Sequence, residues 1–211
     1  LKNRNIEQAA ICVSKVRKVL GNEIPLMLDL ASPKDKNISL KLAPLIEEFK
    51  PYWFEEPVDG EATRSLKEIR EKTGLRIVSG EKQYGLNHFI ETLAADAVDI
   101  FNPDISGVGG IIDMINIIEI SHKKKVAVSP HCWNSMSIAA SAMVHVCMSF
   151  SITEMAEFFP EYIPYSLKFS NQNLEIKDGF IKIENNDGLG TNIDTKLLIE
   201  DTSSYKETEF N

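Results

Sequence analysis

An incomplete α/β barrel of the TIM type is the architecture expected of this 211-residue chain. Strand-like apolar runs alternate with helix-like segments, which argues a parallel sheet with helical crossovers. The strand-like runs end, one after another, in or near an ionisable side chain: Asp29, Glu55, Glu81, Asp104, His131 and Glu157. The steps between them are 26, 26, 23, 27 and 26 residues, about one strand-plus-helix unit each. In a (β/α) barrel such ends ring one mouth, where barrel enzymes hold their chemistry. An acid at one strand end is ordinarily a turn former or a helix cap, but turns do not require five acids and a histidine in phase. About six strands are expected, with a stub of another at the start.

The elements follow in order. Asn5 is placed to cap a helix with apolar positions Ile6, Ala10, Val13, Val16 and Leu20, stopped by Gly21. The run IPLMLDL is continuous and apolar, as in a strand buried on both faces, and ends near Asp29. A helix is expected over about Ser39 to Phe49, and YWFEEPV is the next strand. A helix from about Ala62 to Lys72 stops at Gly74, and LRIVSGE is a strand closing on Glu81. Asn87 is expected to cap a short helix, and AVDIFNPD is a strand ending in Asp104. Gly107, Gly109 and Gly110 lead into a helix of about Ile111 to His122, VAVSPH is a strand ending in His131, and a helix spans about Ser137 to Met148. The run FSITEMAEF carries Glu154 and Glu157. In the tail, Asp178-Gly179 between alternating segments signals a hairpin, and Asn185 to Gly190 a second turn.

Composition excludes several function classes. A net charge of −8 disfavours nucleic acid and anionic membrane surfaces as partners. The basic run His122-Lys123-Lys124-Lys125 sits where a helix C-terminus favours positive charge. Cys12, Cys132 and Cys147 have no paired spacing, so reduced thiols in a cytoplasmic protein are expected. No apolar run reaches the length of a membrane span.

The residue types then set the chemistry. Asp29, Glu55 and Glu81 come from three successive strands, and three carboxylates gathered without a compensating Lys or Arg repel one another. A divalent cation removes that repulsion, and an all-oxygen ligand set selects Mg²⁺ before Mn²⁺. Successive strand residues face opposite sides, so Glu55 is assigned to the metal and Glu56 to a supporting contact behind it. Asp104 and His131 form a candidate dyad, in which the carboxylate fixes the imidazole tautomer and raises its basicity. Such a base beside a carboxylate substrate could remove an α-proton, with the metal stabilising the enediolate. His88, His122 and His145 fall within or at the end of helix patterns and are read as structural.

The motifs LMLD, WFEEPV, SGE, NPDISGVGG, SPHCW and MAEF, in this order and spacing, resemble the barrel of the mandelate racemase/muconate lactonizing enzyme family of the enolase superfamily. The likeness runs from about Leu1 to Asp194. It implies that Asp29, Glu55 and Glu81 bind one Mg²⁺ and that Asp104 and His131 are the base dyad of the mandelate racemase-like subgroup. It implies that Glu157 hydrogen-bonds the substrate carboxylate or enediolate, with Glu154 the rival for that role. Lys2, 27 residues before Asp29, stands near the spacing of the second lysine of the family's Lys-x-Lys motif.

The departures from the family are as informative. Its N-terminal capping domain and first strand are absent, so the chain is expected to be the C-terminal portion of a longer enzyme, with apolar residues such as Leu26, Leu28 and Ile152 exposed along an open seam. Residues 1–170 are expected to form the partial barrel, and 171–211 a hairpin and tail packing toward the capping domain. The implied activity is a Mg²⁺-dependent acid-sugar dehydratase acting on a small carboxylate, homo-oligomeric when full length. A racemase or epimerase of a 2-hydroxy acid uses the same enolisation with a second base. An inactive fragment or paralogue retaining the metal site is the third reading.

Overall fold

The structure is a computed structural model that describes residues 6–132, 137–171, 174–183 and 186–201. Helix α1, Ile6–Leu20, opens it, and Asn5 lies outside the described residues. Arg17 ties down the end of α1: its Nε donates to the Phe49 carbonyl at 2.8 Å and its Nη1 to Gly21 and Ile24 carbonyls at 2.9 and 2.7 Å. Strand β1, Met27–Asp29, leads to α2, Lys36–Ile46, which continues as a 3-10 turn, Glu47–Phe49. The helix starts earlier than the apolar pattern suggested because the Asp35 carboxylate accepts from the Asn37 N–H and caps it. Then come β2 Trp53–Glu55, α3 Thr63–Thr73, β3 Ile77–Ser79 and α4 Leu86–Ala94. Gly85, not Asn87, occupies the cap position of α4, and Asn87 lies inside the helix. The barrel portion is completed by β4 Ile100–Phe101, α5 Ile111–Lys124, β5 Ala127–Val128 and α6 Ser137–Met148.

The five strands form one parallel sheet in chain order, β1 to β5. The expected sixth strand follows as an irregular extended segment. Thr153 bridges Val128, the Glu154 N–H donates to the Val128 carbonyl at 3.0 Å, and the Glu157 N–H to that of Pro130 at 3.2 Å. Among the described residues β1 and this segment are not paired, so the sheet has two edges. The edge position of β1 corrects its reading as a strand buried on both faces: Met27 is 37% exposed. The seam is only partly apolar and open, for Leu26 is buried and Leu28 and Ile152 are half-buried.

Alternation along the strands builds two layers. Trp53, Val78 and Ile100 cluster on one side of the sheet with Tyr52, Ala127 and Met155 against them, in the barrel interior. Phe54, Ile77, Phe101 and Val128 join the helix layer, where they pack with Ile46, Leu66, Ile69, Phe89 and Ile117. Phe89 meets Phe101 edge to face, centroids 5.0 Å apart, a preferred aromatic geometry. Beyond the barrel, a short helix α7, Ile163–Ser166, precedes the hairpin of β6 Leu174–Lys177 and β7 Phe180–Ile183. Asp178 and Gly179 both take positive φ, 53° and 78°, as a two-residue turn matched to strand twist requires. Strand β7 lies against α6, and α8, Thr195–Asp201, ends the described chain.

Candidate active site

Parallel pairing brings the first two acids level. Asp29 is the register partner of Glu55, so their side chains leave the sheet at the same height. With Met27 and Trp53, the alternate residues of β1 and β2, they line a cavity of about 280 Å³ whose other walls include Asn102, His131 and Glu157. Glu81 lies two residues beyond β3, and its Oε2 stands 3.3 Å from His131 Nε2. Asp104 and His131 form an isolated parallel bridge, which sets the two side chains together: His131 Nδ1 lies 2.8 Å from Asp104 Oδ2. Glu157 accepts from the Cys132 N–H at 2.9 Å and reaches to 3.8 Å from His131 Nε2.

The electrostatics follow from this crowding. Glu55 is pushed up to about 7, first by burial, then by the charges of Asp29, Glu157 and Glu81, with His131 opposing. Burial draws the His131 imidazole down, but the bond to Asp104 and the charges of Glu81, Glu157 and Asp104 outweigh it and hold it above its ordinary value.

Sequence reasoning missed two residues here. Lys82 stands 3.0 Å from Glu81 Oε1, so the acids do have a neighbouring cation. Its adjacency to Glu81 was a signal that could have found it. Asn102 donates from Nδ2 to Glu55 Oε1 at 2.7 Å, and its place two residues before Asp104 on the same strand run put it on the same face. Glu154, the rival of Glu157, is elsewhere: it pairs with Arg76 and accepts from the Tyr52 hydroxyl, both of which precede their strands, at the opposite end of the barrel. Lys2 lies outside the described residues.

As the side chains are placed, no three acidic, histidine or cysteine groups among the described residues enclose a common point for an ion. Asp29 Oδ1 takes the Ala31 N–H at 2.7 Å, Glu55 Oε1 is held by Asn102, and Glu81 lies between Lys82 and His131. The donor set nevertheless fits a hard divalent cation. Its oxygens are carboxylate, Asp29 and Glu55 share a register, and the ionised form of Glu55 is disfavoured first by burial and then by the neighbouring acids, whose repulsion an ion would offset.

The family model for enolase C-terminal domain-like proteins matches residues 1–197. An enolase from the environmental genome shotgun sequencing of the Sargasso Sea is 46% identical, with a TM-score of 0.89 over 93% of this chain and 52% of that one. The 3,6-anhydro-D-galactonate cycloisomerase of Zobellia galactanivorans is 28% identical, with a TM-score of 0.85 over 93% of this chain and 55% of that one. A D-galactonate dehydratase of Verminephrobacter eiseniae is 28% identical over 206 residues, 94% of this chain and 53% of the relative. The chain thus spans about half the length of the relatives it matches.

Proposed function

Since the chain belongs to the enolase C-terminal domain-like family, that of the mandelate racemase and muconate lactonizing enzymes, we propose that it forms the catalytic barrel of an acid-sugar dehydratase. The observation that carries this reading is the Asp104–His131 pair, whose imidazole faces Glu81 and Glu157 at the rim of the cavity that Asp29 and Glu55 line.

In the neutral imidazole the active tautomer is the one in which His131 Nδ1 donates to Asp104, so that Nε2, on the side of Glu81 and Glu157, is the proton acceptor. Nε2 then takes the proton α to the substrate carboxylate. Glu157, which accepts from the Cys132 N–H, would in its protonated form donate a hydrogen bond to the substrate carboxylate. The proton gained by His131 is the one the β-hydroxyl needs in order to depart as water, and the resulting enol tautomerises to a 2-keto-3-deoxy acid. Asp29, Glu55 and Glu81 would hold a Mg²⁺ ion, with Mn²⁺ as a substitute. Bound there, the ion stabilises the negative charge that develops on the substrate carboxylate. The galactonate dehydratase relatives support the dehydratase reading. The cycloisomerase relatives favour a second one, in which the same proton abstraction ends in isomerisation.

The test uses the full-length protein with Mg²⁺ and a panel of aldonic and aldaric acids in D₂O, followed by ¹H NMR. Loss of the α-proton signal with a 2-keto-3-deoxy product supports dehydration, and exchange without a keto acid supports isomerisation. In His131→Asn both exchange and product should vanish while Mg²⁺ still binds. Exchange that persists in this variant would remove His131 as the base.

A further inference from the structure

Glu56 is a fully buried carboxylate beside the candidate metal ligands, and the dehydratase mechanism leaves it without a role. It follows Glu55 directly, but its backbone leaves the strand: φ is +42°, a left-handed conformation that a non-glycine residue adopts only where its surroundings hold it there. The turn directs its carboxylate away from the cavity and into the loops behind it. There Oε1 accepts from Ser79 Oγ at 2.7 Å and from the Gly80 N–H at 3.0 Å, and Oε2 accepts from Ser32 Oγ. Its main chain bonds to the same two neighbours. The Glu56 N–H donates to the Val78 carbonyl at 2.9 Å, and its own carbonyl accepts from the Ser32 N–H at 3.0 Å. One residue therefore joins the ends of β1, β2 and β3 through five hydrogen bonds.

Those bonds converge on Glu81. Gly80 immediately precedes it, at φ +149°, where a Cβ would stand 3.2 Å from the Asn102 nitrogen, so the chain is pressed against the end of β4. On the other side Ser32 Oγ accepts from Lys82 Nζ at 2.7 Å, and the same Nζ lies 3.0 Å from Glu81 Oε1. Glu81 is thus held from both of its chain neighbours, and Glu56 anchors both holds. A carboxylate of this burial is unfavourable unless satisfied. Burial indeed raises the Glu56 carboxyl, and the bonds from Ser32, Ser79 and Gly80 oppose the rise.

We infer that Glu56 is a positioning residue that sets the loop bearing Glu81, and so tunes divalent-cation affinity without touching the ion. The inference rests on the assignment of Asp29, Glu55 and Glu81 as metal ligands. Loss of a partner that orients a ligand typically weakens metal binding 10- to 100-fold.

The test is Mn²⁺ titration of the full-length protein, read by the free-ion EPR signal, with circular dichroism to verify folding. Glu56→Gln should weaken the Mn²⁺ dissociation constant at least tenfold. Ser32→Ala, which cuts the link to Lys82 while sparing Ser79 and Gly80, should weaken it by less. Ser39→Ala is the control. Ser39 is buried and donates to the Pro57 carbonyl, so its loss loosens the end of β2 without reaching Glu81, and affinity should stay within twofold. Equal affinity in wild type and Glu56→Gln overturns the inference, as does equal weakening in Glu56→Gln and Ser39→Ala. Should Glu56→Gln not fold, an unchanged dissociation constant in Ser32→Ala overturns it. A wild-type protein that binds no Mn²⁺ instead overturns the metal assignment beneath it.

Discussion

Replacing Glu154 and Glu157 one at a time by glutamine should give opposite results, although the two stand three residues apart on the same segment. Glu154 faces a fork of two Arg76 nitrogens, with Nη1 at 3.1 Å from Oε2, and accepts from the Tyr52 hydroxyl at 2.9 Å. Arg76 also lies over the Tyr52 ring, 5.1 Å from its centroid. This cluster ties the beginnings of β2 and β3 to the sixth extended segment. The side chains are 33% and 26% exposed, so the pair is worth more than a fully solvated one but far less than a dry one. Glutamine keeps one acceptor and loses the charge, and a cost of about 1 kcal/mol follows, or about 2–4 °C in Tm for a domain of this size. The Glu154 carboxyl is held below its ordinary value, first by the Arg76 bond. Its stabilisation is therefore complete above the ordinary carboxylate range and is lost as pH falls through the depressed value. Urea unfolding should separate wild type from Glu154→Gln at pH 7, and the gap should close toward pH 3, with kcat unchanged at pH 7. Glu157→Gln should instead leave stability within about 0.5 kcal/mol and lower kcat by about a hundredfold or more. A Glu154→Gln protein of wild-type stability and lost activity would show that the two roles had been exchanged.

Two other outcomes follow from the site and the thiols. Asp104→Asn removes a negative charge and weakens the hydrogen bond from Nδ1, both of which help hold His131 above its ordinary value. The base must be unprotonated to act, so the acid limb of kcat/KM should move to lower pH, while the plateau falls by about a hundredfold or more. A limb that stays in place would mean that His131 is not the titrating base. Burial pushes the Cys147 thiol up to about 12 and Cys132 is 3% exposed, whereas Cys12 is exposed. Iodoacetamide at pH 8 should label Cys12 in the native protein and all three in urea, as read by peptide mass mapping.

The repeat along the chain was more legible than the place of each strand in the sheet. The in-phase acids were legible because parallel strand-plus-helix units repeat at nearly constant length, and the structure returns that period as the Asp29–Glu55 register and the Asp104–His131 bridge. Hydrophobicity read β1 as interior, but whether an apolar strand is central or at an edge depends on which strands flank it, and no local pattern carries that. The sixth segment is strand-like in sequence yet makes only scattered bonds to β5. Lys82 and Asn102 escaped notice for another reason. A lysine after a glutamate and an asparagine before a proline are ordinary loop residues in sequence, and only tertiary placement turns them toward carboxylates.

The difference between Glu154 and Glu157 shows how this architecture divides its work. Three residues of extended chain advance about 10 Å, and Met155, between the two acids, packs against the apolar interior formed by Trp53, Val78 and Ile100. That layer separates two electrostatic environments. At one end Glu154 meets a guanidinium and gains stability from its charge. At the other, burial and then the acids around it disfavour the ionisation of Glu55. The fold tolerates that unfavourable end because its core does not depend on it: Phe54, Ile77, Phe101 and Val128 lie on the helix side of the same strands. A substitution in the helix layer should therefore be read in stability, and one at the cavity end in proton transfer and cation affinity. Glu56 is the place where the two meet, since it is buried with the first group and bonded to the loops that carry the second.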